Sequence, residues 1–258
     1  MSVLSVKNLT KNFGGLCANS NINLEVNENE LIGLIGPNGA GKTTLFNMLT
    51  GVYVPTSGTI EFTYDGKTTL LNNKKPYHIC ELGIARTFQN IRLFSELTVL
   101  DNVKIAMNKD NKSGVLASIL RLPIFYKEEE RIEKVALELL EIFNLKDKAN
   151  ELAKNLPYGE QRCLEITRAL ATNPKLLFLD EPAAGMNPQE TAELTKLIRQ
   201  IKKQFNLSIV LIEHDMSLVM PLCDRIYVLE YGKGIAEGTP KEIQTNKRVI
   251  EAYLGEEV

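Results

Sequence analysis

Residues 36–43 read Gly36-Pro37-Asn38-Gly39-Ala40-Gly41-Lys42-Thr43, a G-x-x-x-x-G-K-[ST] run. This run constrains the chain more than any other, because its chemistry works in only one local setting. Glycines let the backbone wrap closely around an anion and turn successive N–H groups inward. A helix must open at the lysine, so that its positive end faces the same anion. The flanking residues meet both demands. Leu31–Ile35 is a short apolar run, the pattern of a buried strand. Lys42–Thr50 then carries Leu45, Phe46, Met48 and Leu49, with Gly51 placed to stop a helix. Lys42 supplies a mobile charge for β- and γ-phosphates, and the Thr43 hydroxyl can hold Mg²⁺.

The rest of the chain surrounds this loop with strands and helices. Val3, Leu4 and Val6 read as a strand before a loop at Lys11–Gly15. Ile22, Leu24 and Val26 alternate with polar residues, as on a half-buried antiparallel strand, and Thr59–Tyr64 reads as another. In the last third, the strand runs Leu176–Leu179, Ser208–Ile212 and Arg225–Glu230 alternate with helical stretches such as Gln189–Phe205. That alternation predicts an α/β layer with a parallel sheet. Between these parts the signals are mostly helical. The strongest is Lys127–Leu145, where Ile132, Val135, Ala136, Leu139, Leu140 and Phe143 recur at helical spacing. A second apolar stretch, Val115–Phe125, is interrupted by Pro123. Thr239-Pro240-Lys241-Glu242 is a capping box that opens a C-terminal helix. The expected organisation is a nucleotide-binding core over 1–89 and 156–238, an inserted helical subdomain over 90–155, and a helical tail over 239–258.

Two further strand ends carry chemistry. Leu176-Leu177-Phe178-Leu179 runs into Asp180 and Glu181. Ligands of parallel α/β sheets bind at the carboxyl ends of strands, the edge where the loop after Ile35 also lies. Asp180 is therefore a candidate to hold Mg²⁺, directly or through water, and Glu181 to take a proton from an attacking water. On its own such a pair is as often simply solvated. Ser208–Ile212 repeats the geometry with Glu213, His214 and Asp215, where His214 is placed to reach a γ-phosphate. A lone histidine is more often a surface or core residue. His78 has no such context and is given no role.

Composition removes several alternatives. The formal net charge is −2, so no global basic field points to nucleic acid as a partner. The four cysteines (Cys17, Cys80, Cys163 and Cys223) form no C-x-x-C pair, which argues against a zinc site or a disulfide framework. The first residues, MSVLSVKNLT, lack the features of a signal peptide, and no apolar run is long enough to span a membrane.

Taken in order, these motifs resemble the ATP-binding cassette (ABC) ATPases. The matching elements are the phosphate loop Gly36–Thr44, Gln89 within Arg86-Thr87-Phe88-Gln89, and the signature Leu156-Pro157-Tyr158-Gly159-Glu160-Gln161-Arg162. The strand ending at Asp180-Glu181 and the switch residue His214 complete the set. The resemblance implies a mixed central sheet, an N-terminal antiparallel β subdomain and the inserted helical subdomain. It implies that two cassettes sandwich two ATP molecules, each between the phosphate loop of one chain and the signature (Leu156 to Glu160) of the other. Gln89 would sense Mg²⁺ and the attacking water. Phe13 would stack on adenine, and Thr44 would complete the phosphate cradle. Ala184-Gly185-Met186-Asn187 would meet the opposite cassette, with Asn187 where the family often has aspartate.

The signature departs from the usual L-S-G-G-Q. Pro157 stands for its serine and Tyr158 for its first glycine, and proline offers neither hydroxyl nor N–H. One phosphate contact must be missing or replaced. Within the family, Phe13-Gly14-Gly15-Leu16, Tyr158-Gly159, Leu164-Glu165-Ile166, Glu213-His214-Asp215-Met216 and the tail Ala252-Tyr253-Leu254-Gly255 look like the larger ATPase of branched-chain amino acid importers. That resemblance implies transmembrane permease subunits as partners, expected to be met through Asn90–Thr98, where Leu93 and Phe94 are apolar. It further implies a second cassette, an indirect link to a substrate-binding protein, and a peripheral place on the cytoplasmic side of the membrane. The rival expectation is a cassette ATPase of DNA repair or translation. The absence of a basic arm, cysteine pairs and a second phosphate loop counts against it. A signalling GTPase is set aside because the guanine-reading N-K-x-D is absent.

Overall fold

The computed structural model describes residues 1–107 and 123–254. Two sheets form its frame. In the first, β1 (Ser2–Phe13) pairs antiparallel with β2 (Leu16–Asn27) on one side and β4 (Ser57–Tyr64) on the other, and β5 (Lys67–Leu70) extends β4. The loop expected at Lys11–Gly15 shrinks to Gly14 and Gly15. Lys11, Asn12 and Phe13 stay paired with Asn19, Cys17 and Leu16. Ladder hydrogen bonds need only backbone, so polar residues beyond the buried stripe continue the hairpin, and Gly14 turns it at φ +57°.

The second sheet has the order β10 (Lys233–Gly238), β9 (Arg225–Glu230), β3 (Leu31–Ile35), β8 (Ser208–Ile212), β7 (Leu176–Asp180), β6 (Ile84–Arg86). All neighbours are parallel except β10, which runs antiparallel to β9, so the sheet is mixed as expected. Every residue of β3, β7 and β8 is buried. A strand covered on both faces must be apolar throughout, which is why these runs lack alternation.

The two faces build two cores. Ile32, Leu34, Phe178 and Val210 face the first sheet, with α1 (Lys42–Leu49) packed between through Leu45, Phe46 and Met48. Phe46 and Phe178 meet edge to face at 5.0 Å, an arrangement worth about 0.5–1.5 kcal/mol beyond burial. Their neighbours in the strands, Leu31, Leu177, Leu179 and Ile209, point the other way. They pack in one core with α5 (Tyr158–Leu170), α6 (Pro188–Phe205) and α7 (Met216–Leu222). The same core takes in α3 (Val99–Ala106) and α4 (Pro123–Ile142), through Val99, Val103, Ile132, Ala136 and Leu140.

Helix α4 begins before Lys127 and stops at Ile142, because Asn144 turns left-handed at φ 56°. Pro123 is the first described residue of that helix. Residues 115–122 of the apolar stretch lie outside the described residues. A short helix, α2 (Pro76–Glu81), precedes β6. The capping box at Thr239 and Glu242 is formed, but α8 (Pro240–Thr245) ends there and α9 (Lys247–Leu254) follows a break at Asn246. Among the described residues no helix is long and apolar enough to cross a membrane. Parallel pairing brings the carboxyl ends of β3, β7, β8 and β6 to one edge, and the site lies there.

Candidate functional site

At that edge a cleft of about 670 Å³ is lined by Asn38 to Thr44, Gln89 and Glu181, with Phe13, Ala18 and Tyr231 at its sides. The phosphate loop is held from behind. Gly36 has φ +150° and sits so close to β9 that a Cβ would lie 2.1 Å from the Leu229 carbonyl oxygen. Only glycine fits, so the loop leaves β3 at a fixed angle. Lys42 is buried, and its Nζ donates to the carbonyl oxygens of Gly36 (2.6 Å) and Pro37 (3.0 Å). Burial lowers its pKa, while the charge of Glu181 opposes that shift. Thr43 is exposed at the first turn of α1.

Three sequence-predicted residues converge opposite the loop. Gln89 Nε2 donates to Glu181 Oε2 at 2.9 Å, and His214 Nδ1 lies 4.0 Å from Glu181 Oε1. Glu181 has φ +46°, an uncommon backbone for a non-glycine residue, and its N–H is tied to the Ile212 carbonyl at 2.9 Å. The strain turns its side chain out of the β7 line and into the cleft, where it joins the lining. Asp180 behaves differently. It is buried, and Arg86 Nη2 donates to its Oδ2 at 2.7 Å. Burial raises the Asp180 pKa, and the Arg86 hydrogen bond and charge pull it back.

Phe13 lines the cleft, 42% exposed, edge to face with Tyr53 at 5.3 Å and with Lys11 Nζ 4.9 Å from its ring centre. The signature stands apart. None of Leu156 to Glu160 lines this cleft. Pro157 is the N-cap of α5, Tyr158 is exposed, and Glu160 is paired with Lys148 at 2.6 Å.

Four charged residues given no role from the sequence organise the site. Arg86 joins Asp180 to Asn47 and Thr50 of the α1 region, at 2.7 and 2.9 Å. Glu213, 1% exposed, accepts from the N–H groups of Ala183 (2.9 Å) and His214 (3.1 Å), tying the loop after β7 to the switch residue. Burial raises its pKa, and those N–H donors oppose the rise. Arg162 and Glu165 form a fully buried pair beneath Gln89, at 3.1 Å. Charged residues in apolar runs are the signal in each case. Glu165 and Arg162 interrupt the buried face of α5, and charge is rarely buried without partners.

Among the described residues no group of three or more His, Cys, Asp or Glu side chains is arranged to hold a metal ion. The donors present are the Thr43 hydroxyl, the Gln89 amide and the Asp180 carboxylate. That is an all-oxygen set which fits Mg²⁺ shared with phosphates and unsuited to a soft metal.

The ABC transporter family matches residues 19–184, and a branched-chain amino acid ATP-binding cassette transporter family matches residues 235–258. The high-affinity branched-chain amino acid transport ATP-binding protein LivG of Salmonella typhimurium is 48% identical over 254 residues, covering 98% of each chain. BraF of Pseudomonas aeruginosa, described in the same words, is 45% identical over 98% of each. The crystal structure of MJ1267 in its ADP conformation, an ATP-binding cassette of an ABC transporter, aligns with a TM-score of 0.84 at 33% identity. It covers 99% of this chain and 100% of that one. With the phosphate loop, the strand-end carboxylates and the fold all in agreement, the chain belongs to the ABC transporter family, as an ATP-binding cassette.

Proposed function

We propose that this cassette hydrolyses ATP to drive import of branched-chain amino acids through separate membrane subunits. The observation that carries the ATPase reading is the one cleft that holds Lys42, Thr43, Gln89 and Glu181 together, with His214 beside Glu181. The backbone of Gly36 to Thr44 cradles the phosphates, and Lys42 exchanges its loop carbonyls for phosphate oxygens. Glu181 takes a proton from the attacking water, with its carboxylate oriented by Gln89. His214 meets the γ-phosphate, and Phe13 packs on the base. Thr43, Asp180 and Gln89 are the residues that would hold Mg²⁺, which neutralises phosphate charge when bound.

A second copy or a related cassette supplies its signature to this ATP, and Leu156 to Glu160 of this chain serve the partner's. The closed pair is favoured because only there are the phosphates bound from both sides. Moving such an equilibrium from mostly open to mostly closed needs about 5.5 kcal/mol of differential binding.

A separate groove of about 340 Å³ lies beside β6, lined by Phe88, Phe94, Ile105 and Arg168 among others. Phe94 is 49% exposed there, while Leu93 packs against the core. This supports the groove as the seat of a permease segment and a peripheral place for the chain on the cytoplasmic membrane face. The amino acid itself would not touch the cassette, so the substrate class is supported by LivG, BraF and the match at 235–258. The test is reconstitution with membrane subunits and a binding protein of a branched-chain amino acid importer. ATP-dependent uptake of leucine, isoleucine and valine is expected, and Lys42→Ala should abolish it. ATP turnover without uptake of these three would overturn the substrate reading.

A further inference from the structure

Tyr158 replaces a glycine of the usual signature, and the cleft gives it no role. Its surroundings do. The Tyr158 hydroxyl accepts from Arg162 Nη2 at 3.0 Å, one helical turn away. The same Nη2 donates to the Gln89 carbonyl at 2.7 Å, and Nη1 donates to the Phe88 carbonyl at 2.7 Å. Nη1 also reaches Glu165 Oε2 at 3.1 Å. Glu165 Oε1 then accepts from the N–H groups of Phe88 (3.4 Å) and Arg92 (3.3 Å). The Gln89 segment is thus gripped by its own main chain, at two carbonyls and two amides, from one face of α5. On its other side the Tyr158 ring lies against Gly185, whose Cβ would stand 3.2 Å from Tyr158 Cε1.

We propose that Arg162, set by Tyr158 and Glu165, is the positioning group for Gln89, and that it couples the signature to the chain's own hydrolytic carboxylate. The physical reason is stiffness. Arg162 is fully buried, and a planar guanidinium that fills four acceptors in a dry site has one orientation. A shift of Tyr158 therefore moves the guanidinium, the Gln89 main chain and the hydrogen bond from Gln89 to Glu181. The link from the partner's nucleotide rests on the paired-cassette reading. The grip on the Gln89 segment does not, since it exists within one chain.

Tyr158→Phe is the first test, because it keeps the ring against Gly185 and removes one oxygen. A hydrogen bond to a charged group of this kind is worth about tenfold in a local equilibrium. Amide hydrogen exchange at Phe88 and Arg92 should then rise about tenfold in the nucleotide-free protein, with the thermal midpoint nearly unchanged. In steady-state assays kcat should fall about three- to tenfold while the KM for ATP stays within about twofold. The Hill coefficient for ATP should drop toward one. The double variant Arg162→Met/Glu165→Leu removes the whole grip without leaving a lone buried charge, and its cost in stability is that of the main-chain groups it frees. It should expose the same two amides further, by about a hundredfold. If it fails to fold, Tyr158→Phe decides alone. Unchanged exchange at both amides in the folded variants overturns the grip. Faster exchange with unchanged kcat overturns the link to Gln89. Failure of the paired-cassette reading shows separately, as absence of ATP-dependent dimers in Glu181→Gln with the exchange result intact.

Discussion

Replacing Arg86 by leucine tests what holds the carboxylate at the end of β7. The wild-type side chains are nearly dry, 10% exposed for Arg86 and 4% for Asp180, with 2.7 Å between Nη2 and Oδ2. Arg86→Leu removes that bond and the two to Asn47 and Thr50, and leaves Asp180 charged and unpaired. Taking one partner from a buried pair costs about 3–5 kcal/mol. With a urea dependence of about 2–3 kcal/mol per molar, the unfolding midpoint should fall by about 1–2.5 M. The deficit should depend on pH in a definite direction. Burial already holds the Asp180 pKa above its ordinary value against the pull of Arg86, and the variant removes that pull. A carboxyl whose folded pKa is raised loses stability as pH climbs from its unfolded value through the folded one. The deficit is therefore largest at neutral pH and fades as pH falls toward the ordinary carboxylate range. Urea melts followed by circular dichroism at several pH values measure it. Arg86→Leu/Asp180→Asn should recover most of the loss at neutral pH. If the double variant is as unstable as the single one, the lone charge is not the source, and the account of Asp180 fails.

Three other outcomes follow from the geometry. Glu181→Gln should slow hydrolysis by about a hundredfold or more while ATP still binds, and ATP should then trap dimers on gel filtration; unchanged turnover would remove Glu181 from the role of base. Lys42→Ala should weaken binding of a fluorescent ATP analogue by about 10- to 100-fold, from the loss of a charged donor, and normal affinity would contradict the phosphate cradle. Gly36→Ala should cost about 2–4 kcal/mol in a thermal melt, because its Cβ would stand 2.1 Å from the Leu229 oxygen, and a wild-type midpoint would refute that close approach.

Much of this was legible in the sequence for a physical reason. Buried parallel strands are apolar runs, and Leu31–Ile35, Leu176–Leu179 and Ser208–Ile212 could be read without knowing their order. The loops at their ends need glycine, lysine and carboxylates at fixed spacing, so the chemistry was written beside the strands. What stayed hidden was short or cooperative across the chain. β6 has three residues and β10 is glycine-punctuated, too little for any period to register. The resemblance marked Gln89 and the signature as separate motifs. That Arg162 ties one to the other depends on two segments more than seventy residues apart meeting, which no local pattern records. Arg86 was visible only as a neighbour of Gln89, and its partner Asp180 lies on another strand.

The departures in the signature are better understood against the next helix. At α6 Asn187 accepts from the N–H groups of Gln189 and Glu190, so a capping box consumes the donors of that terminus. At α5 Pro157 makes no side-chain cap. A serine in its place could turn its hydroxyl back onto the first turn or out to a phosphate, but not both at once. Proline removes the hydroxyl, yet its fixed φ suits the entry to a helix, and it leaves the first-turn amides of α5 without a side-chain competitor. Tyr158 then does what a glycine cannot, since it anchors that exposed turn to Arg162. The missing hydroxyl at Pro157 and the gain of a rigid hold on the helix end are thus two sides of one substitution pattern. On the proposed pairing of cassettes, this is the terminus that would meet the partner's nucleotide.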